Sequence, residues 1–93
     1  MRVELLDFTG KWCSTCIVLD RLIESGFLPR YKNKMKFTKI DVDENERLTE
    51  QYGILSVPTV VLLKDGKEVW RKSGSITPGD LKSALDSFTS ASV

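Results

Sequence analysis

Trp12-Cys13-Ser14-Thr15-Cys16 contains both cysteines of a 93-residue chain that has no histidine. If a helix begins near Ser14, the Cys13 thiol lies at the helix start, where unpaired backbone N–H groups and the helix dipole favour an anion. That environment stabilises the thiolate, which is the reactive form of cysteine. Cys16 follows one helical turn later, within reach of a mixed disulfide formed at Cys13. The spacing therefore indicates a redox-active dithiol.

Three other interpretations of the two cysteines compete with redox chemistry. They could be ordinary buried side chains, because a free cysteine packs like a small hydrophobic residue. A zinc or iron–sulfur site normally takes about four ligands, so the pair could bind a metal only if a dimer shared it. A purely structural disulfide would close a very small loop and would constrain the unfolded chain little. The adjacent Trp12 and the helix start favour the redox interpretation.

Length and charge limit the possible classes of function. A chain of 93 residues suits one domain with one core, and we expect it to span residues 1–93 and to act as a monomer. Its 14 basic and 13 acidic side chains give a net charge of +1, which argues against electrostatic binding of nucleic acid. The longest apolar run, at residues 57–63, is far shorter than the ~20 residues that span a bilayer. We therefore expect no nucleic-acid partner and no membrane contact by this domain.

The N-terminal residues bear on location. Glu4 and Asp7 interrupt the apolar character of residues 1–7, so this segment does not have the pattern of a secretory signal. A catalytic dithiol works in reducing and oxidising compartments alike, so the cysteines do not decide the question. We expect a cytoplasmic protein or, alternatively, the soluble domain of an exported or membrane-anchored parent.

The first predicted strand contains an unexpected carboxyl group. Residues 3–8 form a short apolar run that is typical of a strand buried on both faces. Asp7 lies within it, and a buried carboxylate is costly unless it is paired, solvated or used. The residues alone leave open whether Asp7 is partly exposed or functional.

The first predicted helix starts at Ser14 and has one wide apolar side. The apolar positions recur at three- and four-residue steps and are Ile17, Val18, Leu19, Leu22, Ile23 and Phe27. Asp20, Arg21 and Glu24 are expected on the exposed side. Because Gly26 suits a helix end and Pro29 opposes continuation, the helix should end within residues 23–28. The basic residues 30–36 then read as a solvated loop.

The rest of the chain predicts two more helices and three more strands. Residues 36–42 form a second strand, parallel to the first through a right-handed crossover. A helix at 44–52 follows, with a capping box at Asp43 and a stop at Gly53. The Asp65-Gly66 turn joins strands at 59–63 and 68–72. The last helix starts at residues 77–80, and residues 89–93 are predicted to be a disordered tail.

The order β-α-β-α-β-β-α, with a Cys-x-x-Cys at the first strand-to-helix turn, resembles the thioredoxin family over residues 3–88. The residues that carry the likeness are Asp7-Phe8, Trp12-Cys13-Ser14-Thr15-Cys16, Lys39-Ile40-Asp41-Val42-Asp43, Tyr52-Gly53-Ile54, Val57-Pro58-Thr59, Asp65-Gly66 and Gly74. The resemblance implies a trimmed α/β thioredoxin-like fold with a four-stranded mixed sheet flanked by helices. Its strand order would be β2-β1-β3-β4, with β3 and β4 antiparallel to the rest.

The resemblance also implies roles for individual residues. Cys13 would be the attacking nucleophile and Cys16 the resolving thiol. Asp7 matches the family's buried acid that exchanges protons with the resolving cysteine, and Lys39 matches the lysine beside that acid. On this resemblance Asp7 is functional.

A second group of residues would bind substrate. Pro58 matches a cis-proline that faces the dithiol, and the backbone of Val57 would pair with an extended segment of the substrate. Gly74 and Trp12 match the rim of the substrate groove.

The chain departs from the family pattern inside the dithiol and around it. Ser14-Thr15 replaces the usual Gly-Pro, so the redox potential and partner choice of thioredoxin proper do not carry over. Thr9 stands where a second tryptophan is common, and Arg21 where a helix-kinking proline is common. The setting also looks like the soluble thioredoxin-like domain of membrane thiol reductases.

We therefore predict a thiol-disulfide oxidoreductase that reduces disulfides in protein partners. A thiol electron donor, such as a thioredoxin reductase-type enzyme, would resupply it. No cofactor and no metal are required, because the electrons reside on Cys13 and Cys16. The alternatives are oxidase- or isomerase-type disulfide exchange by the same site, and a redox-silent binding module with a thioredoxin fold.

Overall fold

A computed structural model describes residues 2–89 of the chain. Most of the predicted tail, residues 90–93, lies outside the described residues. Thr89, which was assigned to that tail, is instead the buried last residue of the final helix. Its Oγ1 donates a hydrogen bond to the Leu85 carbonyl oxygen at 2.6 Å. The helix therefore extends one residue into the predicted tail.

The sheet has four strands in the predicted order β2-β1-β3-β4. The strands are β1 (Val3–Thr9), β2 (Lys36–Asp41), β3 (Thr59–Lys64) and β4 (Lys67–Ser73). β1 pairs parallel with β2 and antiparallel with β3, and β4 is antiparallel to β3. The prediction that β4 opposes the rest of the sheet is wrong. A two-residue hairpin reverses the chain once more, so β4 runs in the same direction as β1.

The hairpin turn itself matches its sequence signal. Asp65 and Gly66 both have positive φ, at 52° and 84°. A two-residue hairpin loop of this kind needs positive φ at both central positions, which aspartate tolerates and glycine adopts freely.

The first helix is longer than predicted. It comprises α1 (Ser14–Leu22), a π-helical turn (Ile23–Phe27) and α2 (Leu28–Tyr31). The predicted end within residues 23–28 is wrong. The helical path continues through the wider π turn, and Pro29 lies in the first turn of α2, where its missing N–H costs no helical hydrogen bond. Tyr31 and Met35 are buried, so residues 30–36 are not simply a solvated loop.

Two helices follow, α3 (Glu46–Gln51) and α4 (Pro78–Thr89). The capping box predicted at Asp43 is wrong, since Asn45 is the N-cap of α3 and makes no side-chain cap bond. The α4 cap is reciprocal, as Asp80 N donates to Thr77 Oγ1 at 3.1 Å and Thr77 N donates to Asp80 Oδ2 at 3.0 Å. None of the helices within residues 2–89 has the length and apolar character that a bilayer span requires.

The sheet separates two apolar clusters. The larger one packs α1, α2 and α4 against one sheet face and includes Val3, Leu5, Leu19, Ile23, Val60, Leu62, Leu81 and Leu85. The smaller one lies on the other face with α3 and includes Leu6, Phe8, Ile40, Val61 and Leu63. Because side chains alternate along a strand, Asp7 and Thr9 share the face of Leu5, beneath α1. The fold thus places a buried acid on the same side of the sheet as the dithiol helix.

Candidate active site

The two cysteines lie at the first turn of α1. Cys13 is the N-cap residue, with an extended backbone, and its N–H donates to the Gly10 carbonyl oxygen at 3.1 Å. A disulfide joins Cys13 to Cys16, with 5.2 Å between their Cα atoms. The Cys16 N–H donates to Cys13 Sγ at 3.2 Å. After reduction the same N–H, at the positive end of the helix dipole, is placed to stabilise a thiolate on Cys13.

Thr15 adds a contact that the sequence analysis did not assign. Its Oγ1 lies 3.3 Å from Cys13 Sγ, so the hydroxyl can donate to that sulfur. The sequence did contain a signal for this contact, because Thr15 has a hydroxyl group at a position between the cysteines where the family that the chain resembles commonly has proline.

The two sulfur atoms differ in how accessible they are. Cys16 is fully enclosed, at 0% exposure, while Cys13 retains 8% and lies at the surface end of the helix. Of the two cysteines, only Cys13 has any surface open to solvent. The predicted order, attack by Cys13 and resolution by Cys16, requires an asymmetry of this sign.

Trp12 anchors the loop before the dithiol. Its indole Nε1 donates to Asp43 Oδ2 at 2.8 Å, and 67% of the residue is exposed. The ring lies against Gly10, where a Cβ atom would come within 2.9 Å of it. Glycine is therefore needed at position 10 for this placement. A second link runs from Lys11 Nζ to Glu44 Oε2 at 2.7 Å.

An apolar groove of about 860 Å³ opens beside the start of α1. Its lining includes Thr15, Val18, Leu22, Val57, Pro58, Gly74 and Ile76. The structure thus brings three of the four predicted substrate residues together. Trp12 is not part of this lining and instead faces the β2–α3 loop. Val18, expected in the buried stripe of α1, is 69% exposed on the groove side, and Ile17 is also exposed.

The far wall of the groove is held by hydrogen bonds between two chain segments. The Val57-Pro58 peptide bond is cis, as predicted. Gly74 N donates to the Pro58 carbonyl oxygen at 3.1 Å, and Gly74 has a φ of 79° that favours glycine. Thr59 Oγ1 lies 2.7 Å from the Ser56 carbonyl oxygen and 2.8 Å from Ser73 Oγ. These contacts fix Pro58 next to the end of β4.

Asp7 is fully buried at the interface of β1 and α1. Its register partners are Lys39 on β2 and Val60 on β3. Neither carboxyl oxygen has a hydrogen-bond partner among residues 2–89. Burial raises the pKa of Asp7 to about 9, with a further contribution from Asp20, while the positive charge of Lys39 opposes the shift. Asp7 is therefore held mainly in its neutral form at pH 7.

Asp20 corrects the predicted exposure pattern of α1. It was expected on the solvent side, but it is only 8% exposed, and its Oδ2 accepts a hydrogen bond from Thr9 Oγ1 at 3.0 Å. Asp20 lies one turn after Cys16, so both project from the same side of the helix. That four-residue spacing from Cys16 was the available sequence signal.

Lys39 lies at a second groove, on the side of α1 away from the apolar groove. This groove has a volume of about 550 Å³, and its lining includes Ile17, Asp20, Glu24 and Lys39. Lys39 Nζ lies 3.4 Å from Glu24 Oε2. Within residues 2–89, no three His, Cys, Asp or Glu side chains are grouped so that they could hold a metal ion.

Comparison with known proteins reveals similarity along most of the chain. The family model described as Thioredoxin matches residues 2–87. The chain is 36% identical over 85 residues to Thioredoxin 2 of Chlorobaculum tepidum, covering 91% of this chain and 77% of that protein.

Solved structures are similar to the same extent. A mutant thioredoxin from Halobacterium salinarum has a TM-score of 0.83 and 37% identity, with 94% of this chain and 74% of that one covered. The thioredoxin of Fasciola hepatica has a TM-score of 0.86 and 32% identity, with coverage of 94% and 81%.

Proposed function

The chain belongs to the thioredoxin family and is a thiol-disulfide oxidoreductase, and we propose that it reduces disulfides in protein partners, with Cys13 attacking first. The observation that carries this proposal is the asymmetry of the two sulfur atoms. Cys13 retains 8% exposure and its Sγ accepts the Cys16 N–H, whereas Cys16 is fully enclosed. A thiolate on Cys13 attacks one sulfur of the partner's disulfide, forms a mixed disulfide and releases the other sulfur as a thiolate.

Cys16 completes the exchange from inside the protein. Its thiolate attacks Cys13 Sγ, which restores the Cys13–Cys16 disulfide and releases the second partner sulfur as a thiolate. Because Cys16 is fully buried, its thiol proton must pass to a group within the protein before the thiolate can attack. Asp7 lies on the sheet face beneath α1 and is the proposed acceptor of that proton. The positive charge of Lys39 on the neighbouring strand lowers the pKa of Asp7 and so favours its ionised form.

The apolar groove is the proposed binding site for the partner. Val57, Pro58 and Gly74 line it next to the first turn of α1. An extended, largely apolar segment around the partner's disulfide suits this lining, since buried apolar surface drives association. Trp12 has a separate part in this proposal, because its bond to Asp43 supports the loop that presents Cys13.

The electron donor and the setting complete the proposal. A thiol donor such as a thioredoxin reductase-type enzyme would return two electrons to the Cys13–Cys16 disulfide, so no further cofactor is needed. We place the protein in the cytoplasm as a monomer, where such a donor keeps thiols reduced.

The direction of electron flow is tested by equilibrium titration in glutathione buffers. A protein that works as a reductase should have a reduction potential well below that of isomerase-type dithiols, which is about −180 mV. We expect the potential of the Cys13–Cys16 pair to lie on the reducing side of that range. A potential at or above the isomerase range would favour the oxidase or isomerase alternative. A protein that binds disulfide partners without exchanging thiols would support the redox-silent module instead.

A further inference from the structure

Two buried carboxyl groups, rather than one, lie behind the dithiol. Asp7 is fully buried on β1, and Asp20 is only 8% exposed on α1. The α1 residues that are turned toward the sheet include Cys16, Leu19 and Asp20. Asp20 and Cys16 therefore face the same interface as Asp7, one helical turn apart.

The hydrogen bonding of the two acids is incomplete in a specific way. Asp20 Oδ2 accepts from Thr9 Oγ1 at 3.0 Å, but Asp20 Oδ1 and both oxygens of Asp7 have no partner among residues 2–89. Two ionised carboxylates offer only acceptors, so they cannot satisfy one another. A single proton turns one of them into a donor and lets the pair form a hydrogen bond.

The other charges around Asp7 are few and partly cancel. Lys39 faces it from β2 and Glu24 from the π turn, and these two side chains pair with each other at 3.4 Å. On β3 the neighbour is the apolar Val60. Asp20 is thus the acid that acts most strongly on Asp7.

A neutral Asp7 cannot by itself take a proton from Cys16. A protonated carboxyl group has to give up its own proton before, or while, it accepts another. A neighbouring carboxylate that receives the displaced proton removes this obstacle. Asp20 occupies that position.

We propose that Asp20 is a positioning residue and the onward proton acceptor for the resolving step, taking the Asp7 proton as Asp7 takes the proton of Cys16. The Cys16 S–H bond breaks and an O–H bond forms on Asp7. The former Asp7 O–H bond breaks and one forms on Asp20, so two protons each move one step and the net result is one proton transferred from Cys16 to Asp20. This relay rests on the proposed role of Asp7 in the resolving step.

The second groove gives the proton a way out. Asp20, Glu24 and Lys39 line this groove, which has a volume of about 550 Å³ and lies across α1 from the apolar groove. A proton on Asp20 can pass to water there. The partner protein, bound in the apolar groove, does not block this exit.

A titration of the wild-type protein provides the first test. The carboxyl carbons of Asp7 and Asp20 are followed by NMR across pH in the reduced protein. Groups that share a proton titrate as a pair, so both signals should show the same two transitions. Single, independent transitions at the two residues would overturn the relay. This measurement requires no substitution and so does not depend on a variant folding.

The variant Asp20→Asn tests the consequence for turnover. It keeps the size of the side chain and an oxygen that can accept from Thr9, but it removes the acceptor for the proton. The resolving step at pH 7 should slow on the order of tenfold, less than the usual range for general-base help because a thiol is already partly ionised. The pKa of Asp7 should fall, since a neighbouring negative charge is gone. Asp20→Glu should recover much of the rate.

A matched control separates the relay from a general effect of charge. Asp65→Asn makes the same change in charge in the β3–β4 turn, at the opposite end of β1, where asparagine tolerates the positive φ. It should leave both the resolving rate and the Asp7 titration unchanged. An Asp20→Asn variant that resolves as fast as Asp65→Asn would contradict the proposal.

The outcomes also distinguish the relay from the function on which it rests. If Asp7→Asn slows the resolving step and Asp20→Asn does not, only the relay falls. If neither substitution slows it, the role of Asp7 falls together with the relay. If wild-type Cys13 does not attack a protein disulfide at all, the proposed reductase function itself is wrong.

Discussion

The two faces of β1 carry different chemistry at the same end of the strand. On one face Leu6 and Phe8 are buried in an apolar cluster beneath α3. On the other face Asp7 and Thr9 are buried beneath α1, next to the dithiol. Adjacent residues of one strand therefore lie in an apolar cluster on one side and among buried polar groups on the other.

The comparison of the two faces shows which buried residues of β1 stabilise the fold and which destabilise it. Phe8 contributes buried apolar area and a tilted ring contact with Tyr52 at 5.8 Å between centroids. Asp7 buries two oxygens without partners, which costs free energy that a hydrophobic residue would not cost. The apolar face should consequently govern stability, and the dithiol face should govern the rate of disulfide exchange.

The largest expected effect on stability comes from the apolar face. Phe8→Ala should lower the free energy of unfolding by about 3–5 kcal/mol, because it removes a fully buried ring and leaves a cavity. Urea denaturation measures this loss, and Phe8→Leu offers a milder change of the same sign. The rate of disulfide reduction per folded molecule should be nearly unchanged. A loss of rate that exceeds the loss of folded protein would break the division between the faces.

Asp7→Asn should show the reverse pattern, a higher free energy of unfolding together with slower disulfide exchange. At pH 7 the folded wild type keeps a proton on Asp7 that the unfolded chain has lost, and the neutral amide removes this cost, so the variant should be more stable than wild type by roughly 1–4 kcal/mol. Its resolving step should slow while the first attack by Cys13 stays comparatively intact. Thermal melts and stopped-flow reduction of a protein disulfide measure the two effects, with Asp65→Asn as the control. A destabilised Asp7→Asn protein would show that the buried acid contributes to the fold.

The pH dependence of stability sharpens the same comparison. The folded pKa of Asp7 is about 9, against 3.8 for the unconstrained carboxyl group. Between those values the unfolded chain has lost this proton and the folded chain keeps it, so the free energy of unfolding falls as pH rises. The slope from this residue should approach about 1.4 kcal/mol per pH unit. Denaturant midpoints of wild type and Asp7→Asn across pH 5–8 measure it. Parallel curves for the two proteins would contradict the raised pKa.

The smallest stability effect is expected at the exposed rim of the dithiol face. Val18 is mostly exposed in the apolar groove, so Val18→Ser should change the free energy of unfolding by no more than about 0.5 kcal/mol. The kcat/KM for a protein disulfide should nevertheless fall several-fold, because the partner loses apolar contact. Reduction of a small-molecule disulfide, which does not need the groove, is the matched control. Equal losses of kcat/KM for both substrates would show that the apolar groove does not bind the protein partner.

The sequence was sufficient for the elements whose signals are local. The Asp65-Gly66 hairpin is such an element and is as predicted. The cis bond before Pro58 and the strand order are also as predicted, but those predictions came from the family resemblance. The end of the first helix was not as predicted, because Gly26 and Pro29 act as stop signals only in a regular α-helix. The π turn (Ile23–Phe27), which contains Gly26 and precedes Pro29, changes the hydrogen-bond pattern. The cap of α3 was mispredicted because Asp43 has a competing tertiary partner in Trp12.

The positions of the candidate site residues could be predicted where a family motif includes the residue, and less well elsewhere. Cys13, Pro58 and Gly74 lie where the motif puts them. Asp20 was missed because an acid beside Arg21 on a helix normally faces solvent, and only Thr9 on the facing strand gives it a buried partner. Such a contact depends on the packing of α1 onto β1, which no local pattern encodes.

A trapping comparison of Cys13→Ser and Cys16→Ser tests the order of attack. Each variant is reduced, incubated with a disulfide-bonded protein such as insulin, and examined by mass spectrometry without added reductant. Cys16→Ser should accumulate a covalent complex through Cys13 that dithiothreitol dissolves, while Cys13→Ser should not, because Cys16 is enclosed. A complex that forms with Cys13→Ser and not with Cys16→Ser would contradict the assignment of nucleophile and resolving thiol.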